Sequence, residues 1–220
     1  MNTETISLTA ADGHSLQAFV AKPDGTAKGG LIILQEIFGI TDHIKDVCNE
    51  FAAQGYLAVA PAMFDRVAPG MVLDYTDFGT ARDTMGKLER EHCVADMRAA
   101  ADYARSAGKV GAVGFCWGGS MADLAACHEL VDAGVSYYGR MTVEWLELQP
   151  TCPMLYHYGE IDQLIPLQIV EQIQRKRKGI VRVWGSADHG FNCKDRPQYH
   201  KASAEKAMAE TLEFLAEHLS

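Results

Sequence analysis

Residues 110–126 read VGAVGFCWGGSMADLAA, an apolar run, then a glycine-rich turn holding a cysteine, then a helical pattern. The segment Gly114-Phe115-Cys116-Trp117-Gly118 has the form G-x-nucleophile-x-G. Glycines two residues either side are needed because the turn is tight enough for a Cβ there to strike neighbouring backbone. Such a turn holds its nucleophile in a strained conformation above the sheet edge, at the positive end of the next helix, where a thiolate is favoured. Two other readings compete. A free cysteine is often a small buried hydrophobe, and a glycine-rich strand-to-helix turn can cradle a phosphate. The chain lacks both the Lys-Ser/Thr pair of a phosphate loop and the G-x-G-x-x-G of a dinucleotide site. Cys116 is therefore the expected nucleophile.

A nucleophile of this kind takes partners in the chain order nucleophile, acid, histidine. Downstream, the apolar run PMLYHYG ends in Gly159-Glu160-Ile161-Asp162. A carboxylate just past a strand's C-terminal end suits the acid, with Asp162 the better placed and Glu160 the alternative. The next run, IVRVWG, leads into Ser186-Ala187-Asp188-His189-Gly190-Phe191. Of eight histidines, His189 alone lies in a loop after the last strand, beside a glycine. His157 falls inside a strand pattern and reads as a core histidine. His14, His43, His92, His128, His200 and His218 fall in turns or helices and read as solvent-facing. Cys116, Asp162 and His189 thus have the logic of acyl transfer. The oxyanion of a tetrahedral intermediate would be held by the Trp117 amide and by one from Gln35-Glu36-Ile37-Phe38-Gly39, with Ile37 the natural candidate.

These residues need a scaffold. Thr5 to Thr9 and Leu16 to Ala21, joined by Asp12-Gly13, read as a hairpin. GLIILQ, YLAVAP, KVGAVGF, VDAGVSYYG, PMLYHYG and IVRVWG are short, apolar and β-branched or aromatic, as strands buried on both faces would be. Helical patterns lie between them over Asp42 to Gln54, Leu88 to Arg105, Ser120 to Leu130, Leu167 to Arg177 and Lys201 to Leu219. This alternation predicts a doubly wound, mostly parallel α/β sheet with helices on both faces, in one domain over residues 1–220. Asp65 to Lys87 has weak periodicity and is an irregular excursion able to cover a site.

Composition narrows the function classes. Lys plus Arg total 20 against 29 Asp plus Glu, a net charge of −9, so nucleic acid and anionic lipid are poor partners. The basic run Arg175-Lys176-Arg177-Lys178 reads as a solvated helix end. The first residues show neither the basic nor the apolar region of a secretory signal, and no apolar run approaches the roughly 18 residues of a membrane span. Six scattered cysteines without a C-x-x-C pair fit a reduced, cytoplasmic setting.

The chain resembles the dienelactone hydrolase family over nearly its whole length. The resemblance lies in GFCWGGS at the elbow, QEIFG and AVAP after early strands, DMRAAADYAR before the elbow, then SYYG, GEIDQLIP and ADHGF. It implies an α/β-hydrolase fold without a lid domain and a Cys116, Asp162, His189 triad. It further implies that Glu36 holds the resting thiol and helps deprotonate it when substrate arrives. Tyr137 matches a family active-site tyrosine, the alternative being a sheet-end aromatic. Family members acting on dienelactone hold its carboxylate with two arginines. Near the first, this chain has Arg82. At the second, the matching position is Cys193, with Lys194 and Arg196 nearby but not equivalent in reach or bidentate geometry. Phe38, Trp117, Tyr137 and Phe191 suit a mixed apolar pocket.

The expectation is a hydrolase of small esters or lactones working through a thioester, with no metal or other cofactor and a small molecule as its partner. Neither nucleic acid nor membrane is expected as a partner, and the oligomeric state is open. The alternatives are an esterase of broader range that includes activated phosphotriesters, a non-catalytic ligand-binding module, and a thiol-redox sensor.

Overall fold

The structure, a computed structural model, describes residues 2–219. The chain opens with the hairpin β1 (Asn2–Thr9) and β2 (Ser15–Lys22). Its turn is closed by Gly13 at φ 86° and by the His14 amide donating to Asp12 Oδ1 at 3.1 Å. Strands β3 (Gly30–Leu34), β4 (Leu57–Pro61), β5 (Val110–Phe115), β6 (Ala133–Tyr137), β7 (Met154–Gly159) and β8 (Ile180–Trp184) complete an eight-stranded sheet in the order β1-β2-β4-β3-β5-β6-β7-β8. β2 is antiparallel to both β1 and β4, and every later pairing is parallel.

Helices α1 (Asp42–Ala53) and α6 (Lys201–Leu219) cover one face; α3 (Arg90–Ala104), α4 (Trp117–Cys127) and α5 (Leu167–Lys176) cover the other. With helices on both sides, β3 to β7 are buried throughout, which is why their sequences are continuous apolar runs rather than alternating ones. This is the α/β-hydrolase arrangement. No helix among the described residues is long and apolar enough to cross a membrane.

Three expectations need correction. β8 is not buried on both faces: Ile180, Arg182 and Val183 are exposed because the strand ends the sheet. The basic run after α5 is not wholly solvated. Arg177 is buried and forms a bidentate pair with Asp123 in the middle of α4, both contacts at 2.8 Å. Asp123 also accepts from Trp145 Nε1 and the Tyr156 hydroxyl, while Arg177 caps the Leu148 carbonyl at 2.7 Å. His43 is buried, not solvent-facing. It belongs to the stripe His43, Ile44, Val47, Cys48, Phe51, Ala52 that packs α1 on the sheet. Burial, helped by the Lys194 charge, pulls its pKa down to about 4 and leaves it neutral.

The excursion after β4 is more ordered than its sequence suggests. A 3-10 turn (Met63–Arg66) leads to α2 (Phe78–Met85), capped by Asp77 accepting from the Thr80 amide. α2 buries Ala81 and Thr84 and turns Phe78, Arg82 and Met85 to the pocket, a side at helical spacing but mixed in polarity that hydrophobic periodicity does not reveal. Order reverses between β3 and β5, and the loops leaving these adjacent strands open the crevice in which α/β sheets bind ligands.

Candidate active site

The elbow at the end of β5 follows from close packing. A Cβ on Gly114 would overlap the Gly118 carbonyl, and one on Gly118 would overlap the Leu34 carbonyl at the end of β3. Cys116 itself sits at φ 55° and ψ −118°, a conformation costing on the order of 1–3 kcal/mol in a non-glycine residue. It is held there by its amide donating to the Tyr137 carbonyl at 3.0 Å and its carbonyl accepting from the Gly119 amide at 3.0 Å. The sulfur is thereby raised above the N-terminus of α4, half-buried and facing a pocket.

The structure brings Cys116, His189 and Asp162 together. Cys116 Sγ lies 3.1 Å from His189 Nε2, and His189 Nδ1 lies 2.8 Å from Asp162 Oδ2. Asp162 is buried, and its other oxygen accepts from the Leu164 and Ile165 amides at 2.8 and 3.0 Å. The carboxylate is thus fixed on both oxygens. Glu160 is elsewhere: exposed, it accepts from the Ser186 amide at 3.0 Å and closes the turn after β8. Burial opposes charge on His189. The Cys116 sulfur and the Asp162 carboxylate outweigh that burial and lift its pKa to about 10. The ring is thereby suited to hold a proton beside the sulfur.

Trp117 and Ile37 line the same pocket as the sulfur. Trp117 is the first residue of α4, so its amide has no intrahelical acceptor. The loop carrying Ile37 is pinned by buried Gln35, whose side chain accepts from the Met63 amide at 3.1 Å and donates to the Glu36 carbonyl at 3.3 Å.

Glu36 is not on the thiol. It is buried, and Arg196 Nη1 donates to its Oε1 at 3.2 Å while Oε2 has no partner among the described residues. Burial raises its pKa against the opposing Arg196 charge. Arg196 also corrects the expectation about reach. Turns at Cys193 and Arg196, each closed by an amide donating three residues back, fold the loop onto the site. The guanidinium there lies 5.8 Å from the Phe38 ring centroid and 5.9 Å from that of Tyr75, and it lines the pocket. Cys193 is buried and its thiol points to the Tyr75 hydroxyl.

Tyr137 is not at the site either. Its hydroxyl is bonded to Thr211 Oγ1 of α6 at 2.7 Å, inside the core. Its neighbour Tyr138, at φ 42°, packs its ring 5.2 Å from the His189 ring, and its buried hydroxyl has no partner among the described residues. β6 ends at Tyr137, and the left-handed backbone at Tyr138 carries the next ring to His189 instead. Of the two tyrosines in SYYG, the one whose ring packs on His189 is Tyr138.

The pocket has a volume of about 530 Å³, ordinary for a small-molecule site. Phe38, Phe78, Met85, Trp117, Met141 and Leu164 supply apolar walls, and Arg82, Arg140 and Arg196 supply charge. No carboxylate lines it, although the chain carries a net charge of −9. Arg82, left open by the sequence, thus reaches the pocket. Arg140 directly follows the SYYG segment, but its residue type there carries no signal of a pocket role. Phe191 is fully buried, packing behind the site against Tyr138.

A profile of the dienelactone hydrolase family matches residues 16–219. The chain is 35% identical to a carboxymethylenebutenolidase from Pseudomonas putida over 98% of its own length and 97% of that protein. A Klebsiella pneumoniae crystal structure, provisionally described as a dienelactone hydrolase, superposes with a TM-score of 0.88 at 28% identity, covering 99% of this chain and all of that one. A dienelactone hydrolase-like promiscuous phosphotriesterase from metagenomic libraries shares the fold, with a TM-score of 0.77 at 20% identity and 99% coverage of both chains. The chain belongs to the dienelactone hydrolase family and is a hydrolase.

Proposed function

We propose that this enzyme hydrolyses small carboxylic esters or lactones through a covalent thioester on Cys116. The observation that carries the reading is the unbroken contact line from Cys116 Sγ through His189 to Asp162, at 3.1 and 2.8 Å, opening on the pocket. The thiolate adds to the substrate carbonyl, and the resulting oxyanion is received by the Trp117 and Ile37 amides. Each such donor contributes on the order of 3 kcal/mol. The tetrahedral intermediate collapses as His189 gives its proton to the departing oxygen, leaving a thioester and a neutral ring. For a lactone, that oxygen stays tethered to the acyl chain. His189 then takes a proton from water as it adds to the thioester. Collapse expels the thiolate, releases the acid and restores the imidazolium. Asp162 orients the ring throughout.

Arg82 and Arg196 suit a carboxylate on the substrate. Arg196 is held by Glu36 through one nitrogen, 3.2 Å away, so an incoming carboxylate competes with Glu36 for it. The family resemblance assigns Glu36 to the resting thiol. Its burial beside Arg196, with one oxygen unpartnered, fits a carboxylate that moves between two partners as substrate binds. The test is turnover of para-nitrophenyl butyrate and of a carboxylated lactone by wild type and by Cys116→Ala. The reading expects both substrates to be hydrolysed, trapping of a thioester on Cys116 by rapid acid quench, and loss of both activities in the variant. Retained turnover by Cys116→Ala would refute it. Activated phosphotriesters form a second reading, supported by the fold shared with the phosphotriesterase and by the polarisable sulfur of Cys116 in this chain.

A further inference from the structure

The pocket carries one more cation than the carboxylate-binding pair uses. We infer that Arg140 is a specificity residue that receives a second anionic group, on the side of the scissile bond away from Arg82. This inference rests on the ester and lactone reading above.

The two arginines come from opposite sides of the strand that carries the nucleophile. β4 and β3 lie on one side of β5; β6 and β7 lie on the other. Arg82 belongs to α2, which follows β4, and Phe78 of that helix packs edge-on against Phe38 in the loop after β3, 5.6 Å between centroids. Arg140 follows β6, and its Nε donates at 3.1 Å to the carbonyl of Leu164, in the turn after β7. Both side chains line the pocket with Cys116.

Neither guanidinium has an acidic partner among the described residues. Arg82 has no side-chain hydrogen bond or ion pair among the described residues, and Arg140 has only the Leu164 carbonyl. Arg196, by contrast, is paired with Glu36. In a protein with nine more acidic than basic residues, a pocket whose lining holds three guanidinium groups and no carboxylate calls for a polyanionic ligand. Fixing Arg140 through Nε aims it while leaving both terminal nitrogens free, the planar fork that matches a carboxylate. The chemical class is therefore an ester or lactone with an acidic group on each side of the reacting carbonyl, both of which remain on the products after hydrolysis.

Four chromogenic esters separate the two poles: para-nitrophenyl butyrate, para-nitrophenyl hemiglutarate, and the same two acyl groups on a ring-carboxylated para-nitrophenol. The quantity read is kcat/KM for each charged ester divided by that for the neutral one, at low and high salt. Wild type should prefer the doubly charged ester. Arg140→Gln should lower the ratio for one singly charged ester roughly tenfold, mainly through KM, and Arg82→Gln should lower it for the other. Arg140→Lys should recover part of the loss as a point charge without the fork. Raising the salt should compress the wild-type ratios. If Arg140→Gln leaves both ratios unchanged, or acts on the same ester as Arg82→Gln, the assignment is overturned. A wild type that cleaves none of the four overturns the hydrolase reading as well, which makes the two failures distinguishable.

Discussion

Removing the sulfur should discharge the histidine. In the intact site His189 is held at about 10 against an ordinary 6.5, and the lift overcomes an opposing effect of burial. Two of the four supporting influences come from Cys116: its charge is the largest of the four and exceeds the Asp162 hydrogen bond, and its hydrogen bond exceeds the Asp162 charge. Cys116 therefore supplies at least half of a lift that exceeds the 3.5 between those two values. Cys116→Ala should drop the imidazole pKa by at least about two pH units, to about 8 or below, equivalent to roughly 2–3 kcal/mol of lost preference for the imidazolium. The assay is NMR titration of the ring nitrogens with labelled histidine. Wild type should show both Nδ1 and Nε2 protonated at pH 7 and up to about pH 9, and the variant should titrate lower. A wild-type ring already neutral at pH 7, or a variant that still titrates near 10, would refute the role of the Cys116 sulfur in raising His189 and with it the order of proton transfers proposed for catalysis.

Glu36→Gln removes a buried carboxylate that the family resemblance ties to the thiol, so the pH profile of Cys116 alkylation by iodoacetamide should change; an unchanged profile would count against any gating role. Asp123→Ala leaves Arg177 charged and buried without its partner, which should cost about 3–5 kcal/mol in urea denaturation, whereas Asp123→Leu with Arg177→Met should cost less than the single change. His43 and His157 are buried and neutral, pulled down chiefly by burial to about 4 and about 3. Because unfolding frees each to bind a proton near its ordinary 6.5, the stability they allow is complete above that pH and declines as pH falls toward those lower values. At pH 5 each should cost about 2 kcal/mol relative to neutral pH. A denaturation midpoint that is flat between pH 7 and 5 would contradict this.

What the sequence disclosed follows from how local each signal is. The elbow is a contiguous G-x-nucleophile-x-G pattern between an apolar run and a helical one, so it is readable without the fold, although Gly118 is dictated by the distant Leu34 carbonyl of β3. The same holds for the strand ends carrying Asp162 and His189 and for α1, α5 and α6, whose periodicity fixes their faces. Arg196 was discounted because its value depends on two consecutive turns that reverse the chain after Gly190, and no residue pattern announces their path. Arg177 looked solvated in its run of four basic residues; its partner Asp123 lies 54 positions away in a helix otherwise apolar or small on that side. The exposure of β8 depends on its being last in the sheet, a property of topology rather than of its own residues. Tyr137 and Tyr138 are adjacent, and what separates them is that β6 ends at Tyr137 and the backbone turns left-handed at Tyr138, which their residue types do not announce.

The turn between β7 and α5 serves two masters. Its backbone amides grip Asp162, while a carbonyl from the same few residues aims Arg140. Any insertion or remodelling there disturbs the acid that orients the base and the fork that reads the ligand at once, so selectivity cannot be shifted through this turn without also risking turnover. The helix bearing Arg82 has no such double duty. Laboratory evolution toward new acyl or alcohol groups should therefore accumulate accepted changes on α2 and leave residues 160–165 nearly untouched.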